Sequence, residues 1–403
     1  MRKTHRGETM KVTFLGAKAY SASKKIFENE ISMSATTVAS FNSSVIDASN
    51  YHIFPGFCDV HVHFREPGFS YKETIKTGSL AAARGGYTAV CTMPNLDPTP
   101  DSVPNVKIQL DIIKRDSVIN TIPFGSITKG EMGRELSDIE ALAPYVVGFS
   151  DDGKGVDDGG LMREAMARAK AQGKIISAHC EDGTEVKDSP EAEWKEIERD
   201  IKLADETGCK FHVCHISTKE SVSLIRDAKK SGVDITCETA PHYLIFSRLH
   251  EKDDGRFRMN PPLREEEDRL AMVEGLLDGT VDMIATDHAP HSVEEKSHGL
   301  RSLNGIVGLE CAFPVMYTEF VRGGVLPLER LIELMAIKPY ERFDIKPCGY
   351  TVYDLNEEYM IDPREFLSMG QSTPFDGRCV YGKCMATVSD GRLVYIDRAL
   401  RLG

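Results

Sequence analysis

Short apolar runs recur along the middle of the chain, and each is followed by a stretch of mixed polar and apolar residues. The runs are rich in Val, Ile and aromatic residues, which favour buried strands. We predict six of these runs as strands: residues 87–93, 145–149, 174–179, 211–215, 234–238 and 282–287.

The stretches between these runs have the spacing of amphipathic helices, with apolar residues returning every three or four positions. Two stretches show it clearly: Leu161, Met162, Ala165, Met166 and Ala169, and then Trp194, Ile197, Ile201 and Ala204. The second helix is predicted over residues 190–207. Strands that alternate with helices predict a parallel sheet with helices outside it.

The repeated units extend over about the length of a (β/α)₈ barrel, whereas both ends of the chain read as short alternating strands. We therefore predict an α/β protein with a TIM-type barrel at residues 55–344. Residues 1–54 and 345–403 are predicted to form one composite small β domain, a β-sandwich built from both chain termini.

The composition and net charge of the chain limit the kinds of molecule that it is expected to bind. The formal net charge of −13 and pI near 5.5 argue against a general surface for nucleic acid or anionic membranes, because such a field repels phosphates. No apolar run approaches membrane-spanning length, and the basic start lacks the apolar core of a signal peptide, so we expect a cytoplasmic protein. The ten cysteines include no C-x-x-C pair and are expected to be reduced. Whether translation starts at Met1 or Met10 stays open.

Metal-capable residues follow several of the predicted strands. His61 and His63 share one face of an extended segment, a spacing that suits one metal ion, although two packed histidines would give the same pattern. His179, His215 and Asp287 end three further strands. Because the carboxyl ends of barrel strands meet at one rim, these residues are expected to converge there. The aspartates at 151 and 152 would supply a bridging carboxylate.

Many ordered motifs extend over nearly the whole chain: residues 55–68 (P-G-F-C-D-V-H-V-H-F-R-E-P-G), 72–74, 85–88, 93–95, 149–153, 178–182, 212–218, 259–264 (M-N-P-P-L-R), 285–291 (A-T-D-H-A-P-H) and 305–310. With these motifs the chain closely resembles the bacterial type I dihydroorotases of the amidohydrolase superfamily. The resemblance implies a zinc-dependent, reversible cyclisation of N-carbamoyl-L-aspartate to L-dihydroorotate in pyrimidine biosynthesis.

The resemblance also implies which residues hold two zinc ions per subunit. His61, His63 and Asp287 would hold one ion and His179 and His215 the other, with Asp152 bridging them. Asp151, or a carboxylated Lys154, remains an alternative bridge, but an unmodified carboxylate is preferred. Asp287 would also be the catalytic proton carrier.

Substrate contacts transfer from the same motifs. Arg65, Asn95 and His291 match the clamp for the α-carboxylate of the substrate, a task that suits the planar donors of a guanidinium. Asn260 would contact the ring, and the segment with Asn304 and Gly305 would line the pocket.

Two departures from the family pattern bear on this transfer. The connection at residues 181–188 is shorter than the family's, and Leu303 and Asn304 stand where relatives usually have Pro-Phe before Gly305. The first departure lies in an expected rim loop of the barrel, and the second in the expected lining of the substrate pocket.

Three other functions compete with this prediction. The nearest is another cyclic amidase, of the hydantoinase, allantoinase or dihydropyrimidinase type. The others are a catalytically silent structural partner of aspartate carbamoyltransferase and a metal-storage protein. No expected ligand is missing, which argues against a silent protein. A homodimer that associates with aspartate carbamoyltransferase is the expected assembly, although the sequence alone fixes neither.

Overall fold

A computed structural model describes residues 10–21, 26–37 and 45–400; Met1, the first candidate start, lies outside these ranges. The described chain contains sixteen strands. They are β1 (Met10–Ser21), β2 (Ile26–Thr37), β3 (Val45–Asp47), β4 (His52–Pro55), β5 (Phe57–Val62), β6 (Tyr87–Thr92), β7 (Asn120–Pro123), β8 (Gly125–Ser126), β9 (Gly148–Ser150), β10 (Ile175–Ala178), β11 (Lys210–Val213), β12 (Ile235–Thr239), β13 (Met283–Ile284), β14 (Gly349–Met360), β15 (Cys379–Ser389) and β16 (Arg392–Ile396).

Helices occupy most of the connections between these strands. They are α1 (Ile75–Arg84), α2 (Val103–Asp116), α3 (Ile139–Leu142), α4 (Gly159–Ala171), α5 (Pro190–Thr207), α6 (Lys219–Lys230), α7 (Pro241–Ile245), α8 (Glu266–Asp278), α9 (Ala312–Met316), α10 (Leu328–Ile332) and α11 (Lys338–Arg342). Two π-helical segments, Tyr317–Arg322 and Glu333–Ile337, continue α9 and α10. Among the described residues, no helix is both long and apolar enough to cross a membrane.

Strands β5 to β13 form the parallel barrel. β5, β6 and β7 pair in order, and β8 to β13 form a second run of neighbours. β7 and β8 are two parts of the third barrel strand, since β7 pairs with β6 and β8 with β9. The barrel closes where Val62 pairs with His288 and the His63 amide donates to the His288 carbonyl at 2.8 Å. The carboxyl ends of all eight strand positions therefore face one rim.

The chain termini meet in a separate sheet of seven strands. β1 to β4 precede the barrel and β14 to β16 follow it, and β4 pairs with β14 to join the two groups. β2 pairs with both β1 and β16, so the sheet folds back around its own apolar core. The exact domain boundaries, 1–54 with 345–403 and 55–344, remain our proposal.

Aromatic side chains pack the small sheet against the barrel. Phe54 of β4 and Tyr353 of β14 contact Phe57 of β5 and Phe313 of α9, with ring centroids 4.3 to 6.2 Å apart. The Tyr353 hydroxyl donates to the Gly85 carbonyl at 2.8 Å. Buried aromatic contacts of this kind fix one domain against the other.

Several sequence predictions need correction. The predicted strand 145–149 is wrong at its start, because Ala143–Tyr145 form a 3₁₀ turn around a proline and β9 begins only at Gly148. The predicted strand 282–287 contracts to Met283–Ile284. The strand pieces β7 and β8 were not predicted, since Pro123 and Gly125 interrupt their apolar pattern. The ten cysteines are free, as expected, and eight are buried.

Candidate metal centre and substrate pocket

The predicted metal-capable residues lie together at the carboxyl rim of the barrel. His61 lies in β5 and His63 just beyond it, while His179, His215 and Asp287 follow β10, β11 and β13. Two of these residues have a left-handed backbone, with φ of 31° at His215 and 48° at Asp287. Such conformations are rare for residues other than glycine and concentrate at functional sites.

Two histidines and two aspartates form the centre of the cluster. His61 Nε2 lies 3.2 Å from Asp152 Oδ1, and His63 Nε2 lies 3.3 Å from Asp152 Oδ2. Asp287 Oδ1 lies 3.0 Å from His63 Nε2 and 3.6 Å from His61 Nε2. All four side chains are buried. The two carboxylates therefore face the same pair of imidazoles from different strands.

His179 and His215 continue the cluster on its other side. His215 Nε2 lies 3.6 Å from Asp152 Oδ1, and His179 Nδ1 lies 3.0 Å from His215 Nε2. Candidate ligand atoms of His61, Asp152 and His215 are within 4.8 Å of one another, as are those of His61, His63 and Asp287. His179 lies beside these groups and contacts them through His215.

The donor set suits divalent ions. Within the described part of the chain, His61 Nε2 and Asp152 Oδ1 are buried without a well-formed hydrogen bond. Buried polar atoms without partners are costly, and a bound cation would satisfy both atoms. Imidazole nitrogens with carboxylate oxygens are characteristic ligands of zinc. The residues present therefore fit a metal centre.

Neighbouring aspartates have separate roles in the structure. Asp151 turns away from the histidines and accepts hydrogen bonds from the Ile127 and Thr128 amides and the Thr128 hydroxyl. Lys154, the other alternative bridge, is half exposed, and its ammonium lies 3.8 Å from a Glu131 carboxylate oxygen. Of the three candidates, Asp152 is the one whose carboxylate faces the histidines.

Electrostatics keeps the carboxylates of the cluster ionised. Burial by itself raises the pKa of Asp287, but the hydrogen bond from His63 and the charge of His61 outweigh it and lower that pKa to about 2. Burial likewise opposes ionisation of Asp152, and the neighbouring histidines hold its pKa well below the usual range. Both groups are therefore anionic at neutral pH, the state that binds a cation.

Sequence reasoning missed two carboxylates that support the cluster from behind. Glu238, in β12, accepts a 2.8 Å hydrogen bond from His61 Nδ1 and lies 3.1 Å from His212 Nε2. This contact leaves His61 Nε2 as the nitrogen that faces the cluster. Asp59 accepts from the His61 and Thr286 amides. The position of Glu238 near the carboxyl end of an apolar strand was the available signal.

A pocket of about 240 Å³ opens directly over the cluster. Its wall contains all six of the predicted substrate residues together with most of the predicted ligands. The lining residues are His63, Arg65, Asn95, Asp152, Gly153, His179, His215, Asn260, Asp287, Ala289, His291, Leu303, Asn304 and Gly305.

One end of this pocket is cationic. Arg65 is buried, and its Nη2 lies 3.3 Å from His291 Nε2. His291 Nε2 also lies 2.7 Å from the Asn304 carbonyl oxygen, and its Nδ1 lies 3.1 Å from a Glu295 carboxylate oxygen, so the ring is held from both sides. Burial, followed by the charges of Arg65 and Lys72, lowers the pKa of His291 to about 4. The ring is therefore neutral at pH 7, and Arg65 supplies the positive charge.

Asn95 joins the cationic end to the metal cluster. Its side-chain oxygen accepts from His63 Nδ1 at 2.9 Å, which leaves the amide nitrogen available as a donor to a ligand. The contact also turns His63 Nε2 toward Asp287. Asn95 thus orients a candidate ligand on one side and offers a hydrogen-bond donor on the other.

Comparisons with known proteins agree with this arrangement. A family profile described as "Dihydro-orotase-like" matches residues 51–195. The chain is 46% identical over 401 residues to a dihydroorotase of Fusobacterium nucleatum subsp. nucleatum, covering 93% of this chain and 94% of that protein. It is 46% identical over 393 residues to a dihydroorotase of Bacillus subtilis, covering 90% and 91%.

Solved structures show the same fold. An L-hydantoinase (dihydropyrimidinase) from Arthrobacter aurescens superposes with a TM-score of 0.83 at 25% identity, covering 95% of each chain. A dihydropyrimidinase from Brevibacillus agri superposes with a TM-score of 0.82 at 21% identity, covering 96% of each. The predicted barrel with its small β-sandwich is thereby confirmed. From the identity over nine-tenths of both chains, this protein belongs to the dihydroorotase family.

Proposed function

We propose that this protein is a dihydroorotase that interconverts N-carbamoyl-L-aspartate and L-dihydroorotate, a step of pyrimidine biosynthesis. The observation that carries the proposal is one pocket in which a buried arginine lies beside a cluster of metal-capable residues. Dihydroorotate has the matching chemistry, because its carboxylate is attached to the ring whose amide is cleaved. The 46% identity to proteins named dihydroorotase supports the same substrate.

The metal centre is proposed to hold two zinc ions per subunit. His61, His63 and Asp287 would hold one ion, His179 and His215 the other, and Asp152 would bridge them. When bound, such ions supply an acidified water and a polarised carbonyl at neutral pH. The Glu238 carboxylate orients the His61 ring for this task.

Asp287 is proposed to move the proton. Its carboxylate is ionised and lies at the pocket wall, within 3.0 Å of His63 Nε2. In the direction of hydrolysis it would accept a proton from the attacking water and deliver it to the departing amide nitrogen. Ring closure would use the same carboxylate in reverse.

Substrate orientation is proposed to come from the cationic end of the pocket. The Arg65 guanidinium would pair with the α-carboxylate, and the free Asn95 amide nitrogen would donate to it. His291, held by the Asn304 carbonyl, would complete that wall. Asn260 and the segment at Asn304 and Gly305 would contact the ring.

A cyclic amidase of the hydantoinase type is the second candidate, because the Arthrobacter aurescens structure shares the fold. Hydantoin and dihydrouracil lack the carboxylate that Arg65 would bind, so the cationic end of the pocket favours dihydroorotate. A homodimer in the cytoplasm, with association to aspartate carbamoyltransferase, is the assembly we propose.

Steady-state rates on dihydroorotate, hydantoin and dihydrouracil test the proposal. We expect turnover of dihydroorotate to dominate. Arg65→Met should weaken dihydroorotate binding by about 2 to 4 kcal/mol, because it removes a charge-assisted contact in a buried pocket. Its metal content should remain that of the wild type. Arg134→Met, at an exposed arginine outside the pocket, is the matched control. Faster turnover of hydantoin, or an Arg65 variant with unchanged KM, would contradict the proposal.

A further inference from the structure

The short rim loop at residues 181–188 brings one carboxylate to the edge of the substrate pocket. Glu181 Oε2 accepts a hydrogen bond from Asn260 Nδ2 at 3.2 Å and lies 3.4 Å from His179 Nε2. Asn260 lines the pocket, whereas Glu181 lies behind it. Glu181 therefore contacts the ring-binding residue without lining the pocket itself.

Three further contacts fix Glu181 in place. Its amide donates to Glu196 Oε2 at 2.7 Å, and its Oε1 accepts from the Asp188 amide at 3.2 Å. Asp188 is held in turn by Arg258, whose Nη2 donates to Asp188 Oδ2 at 3.1 Å. The Glu196 contact thus fixes the Glu181 backbone, and the Asp188 amide at the far end of the loop orients its carboxylate, which is how a binding site is pre-organised.

The chemistry of a carboxylate determines which way the Asn260 amide points. An ionised carboxylate only accepts hydrogen bonds, so the group that faces Glu181 must be the NH₂ of Asn260. In the described part of the chain, no side chain or amide donates to the Asn260 side-chain oxygen. That oxygen is consequently available to accept a hydrogen bond from a ligand in the pocket.

We propose that Glu181 is a positioning residue that sets the specificity of the pocket, by holding Asn260 so that it offers an acceptor to an N–H of the substrate. The inference rests on the proposed function and deepens it. Dihydroorotate has two ring N–H groups, and carbamoyl aspartate has the corresponding urea N–H groups. A ligand whose ring has no N–H at that position would leave the Asn260 oxygen without a hydrogen-bond donor and should bind more weakly.

Exchanging the two functional groups tests this directly. In Glu181→Gln, the Asp188 amide still requires an oxygen, so the NH₂ of the new side chain faces residue 260 and turns the Asn260 amide over. The pocket then offers a donor in place of an acceptor. We expect KM for dihydroorotate to rise about tenfold, which corresponds to about 1.4 kcal/mol. Asn260→Asp alone sets two carboxylates against each other, and its KM should rise about a hundredfold.

The double variant Glu181→Gln with Asn260→Asp should reverse both losses. Residue 181 then donates and residue 260 accepts, so an acceptor again faces the substrate at unchanged net charge. Its KM should return to within about threefold of the wild type, with unchanged metal content and Tm. Glu185→Gln, in the same loop, is the control, because Glu185 pairs with Lys195 and should leave KM unaltered.

Binding of methylated substrates provides a measurement that needs no change at residue 181. Dihydroorotate methylated at the nitrogen that faces Asn260 should bind the wild type about tenfold more weakly, and Asn260→Ala should remove that difference. Three results would overturn the inference. The losses of the two single variants could multiply in the double variant, metal loss could account for the effect of Glu181→Gln, or all methylated forms could bind equally well. A wild type that does not turn over dihydroorotate would instead refute the proposed function.

Discussion

At the scale of the residue, two adjacent aspartates show how the backbone can give identical side chains different partners. Asp151 and Asp152 follow β9 at a turn in which the Lys154 and Gly155 amides donate to the Asp151 carbonyl, and this turn points the two side chains to different partners. Asp151 consequently accepts from the Ile127 and Thr128 amides, while Asp152 faces His61 and His63. The sequence favoured Asp152 only through the family resemblance, because both residues offer the same ligand atoms.

This separation predicts different consequences for the same substitution. Asp152→Asn should remove most of the bound metal and all turnover, since an amide is a poor bridge between cations. Asp151→Asn should retain the metal and lower Tm by several degrees, because it removes an acceptor from a buried loop. Elemental analysis and thermal unfolding of both variants make the comparison. Metal loss in Asp151→Asn with retention in Asp152→Asn would reverse the assignment.

The candidate metal ligands that sequence reasoning found are residues with few other uses in a buried strand. His61 and His63 on one strand, or His215 at the end of another, are rare enough in apolar surroundings to be noticed. Glu238 was missed because a single glutamate beside a turn resembles an exposed strand end. Glu238 lies 177 residues from His61 in the sequence, and the two side chains meet only because the barrel brings β12 close to β5.

At the scale of the element, the apolar spacing of α5 predicted the range of the helix but not all of its buried residues. Its predicted range, 190–207, is correct, since Ser189 caps the start and Gly208, with a φ of 63°, ends it. The apolar spacing did not reveal that Glu193, Glu196 and Asp200 are also buried. Glu193 and Glu196 accept hydrogen bonds from loop amides, whereas Asp200 accepts from Arg199 of the same helix. Carboxylates in a sequence normally indicate an exposed position.

Glu193 provides the test of this role. It accepts from the Ser217 and Thr218 amides, directly after His215, and lies 3.5 Å from the Arg264 guanidinium. Glu193→Ala should lower the free energy of unfolding by about 3 kcal/mol, because it leaves a buried cation and two amides without a partner. Glu198→Ala, on the exposed face of α5, should cost less than about 0.5 kcal/mol. Denaturant unfolding measures both. Equal losses would show that α5 does not support the rim.

At the scale of the whole molecule, the order of strands and helices predicted the barrel and the small β domain. The pairing that joins them could not be predicted, since β4 and β14 lie almost 300 residues apart and meet only after the barrel has closed. A buried carboxylate also connects segments that are distant in the sequence. Glu310 accepts from Arg84 of α1 and from the Leu367 and Ser368 amides.

This contact predicts a pH dependence of stability. Burial, against the opposing charge of Arg84, raises the pKa of Glu310 from 4.5 to about 7. Because the folded state retains the proton longer than the unfolded chain, the contribution of Glu310 to stability falls as pH rises from about 4.5 to 7. The loss is at most about 3 kcal/mol, at 1.36 kcal/mol per pKa unit.

Glu310→Gln removes this titration. The difference in unfolding free energy between variant and wild type should shift in favour of the variant between pH 5 and pH 8. Glu365→Gln, at an exposed neighbour, should show no such shift. Thermal unfolding of the three proteins across that range measures the effect. A difference that stays constant with pH would contradict the raised pKa.

The central claim is that the pocket catalyses the dihydroorotate reaction through a metal centre built from His61, His63, Asp152, His179, His215 and Asp287. The most direct measurement follows dihydroorotate hydrolysis while metal is removed by a chelator and zinc is added back, with bound zinc counted per chain. We predict that the rate disappears with the metal and returns as about two zinc ions bind. Full activity in metal-free protein, or no turnover in fully loaded protein, would contradict the claim.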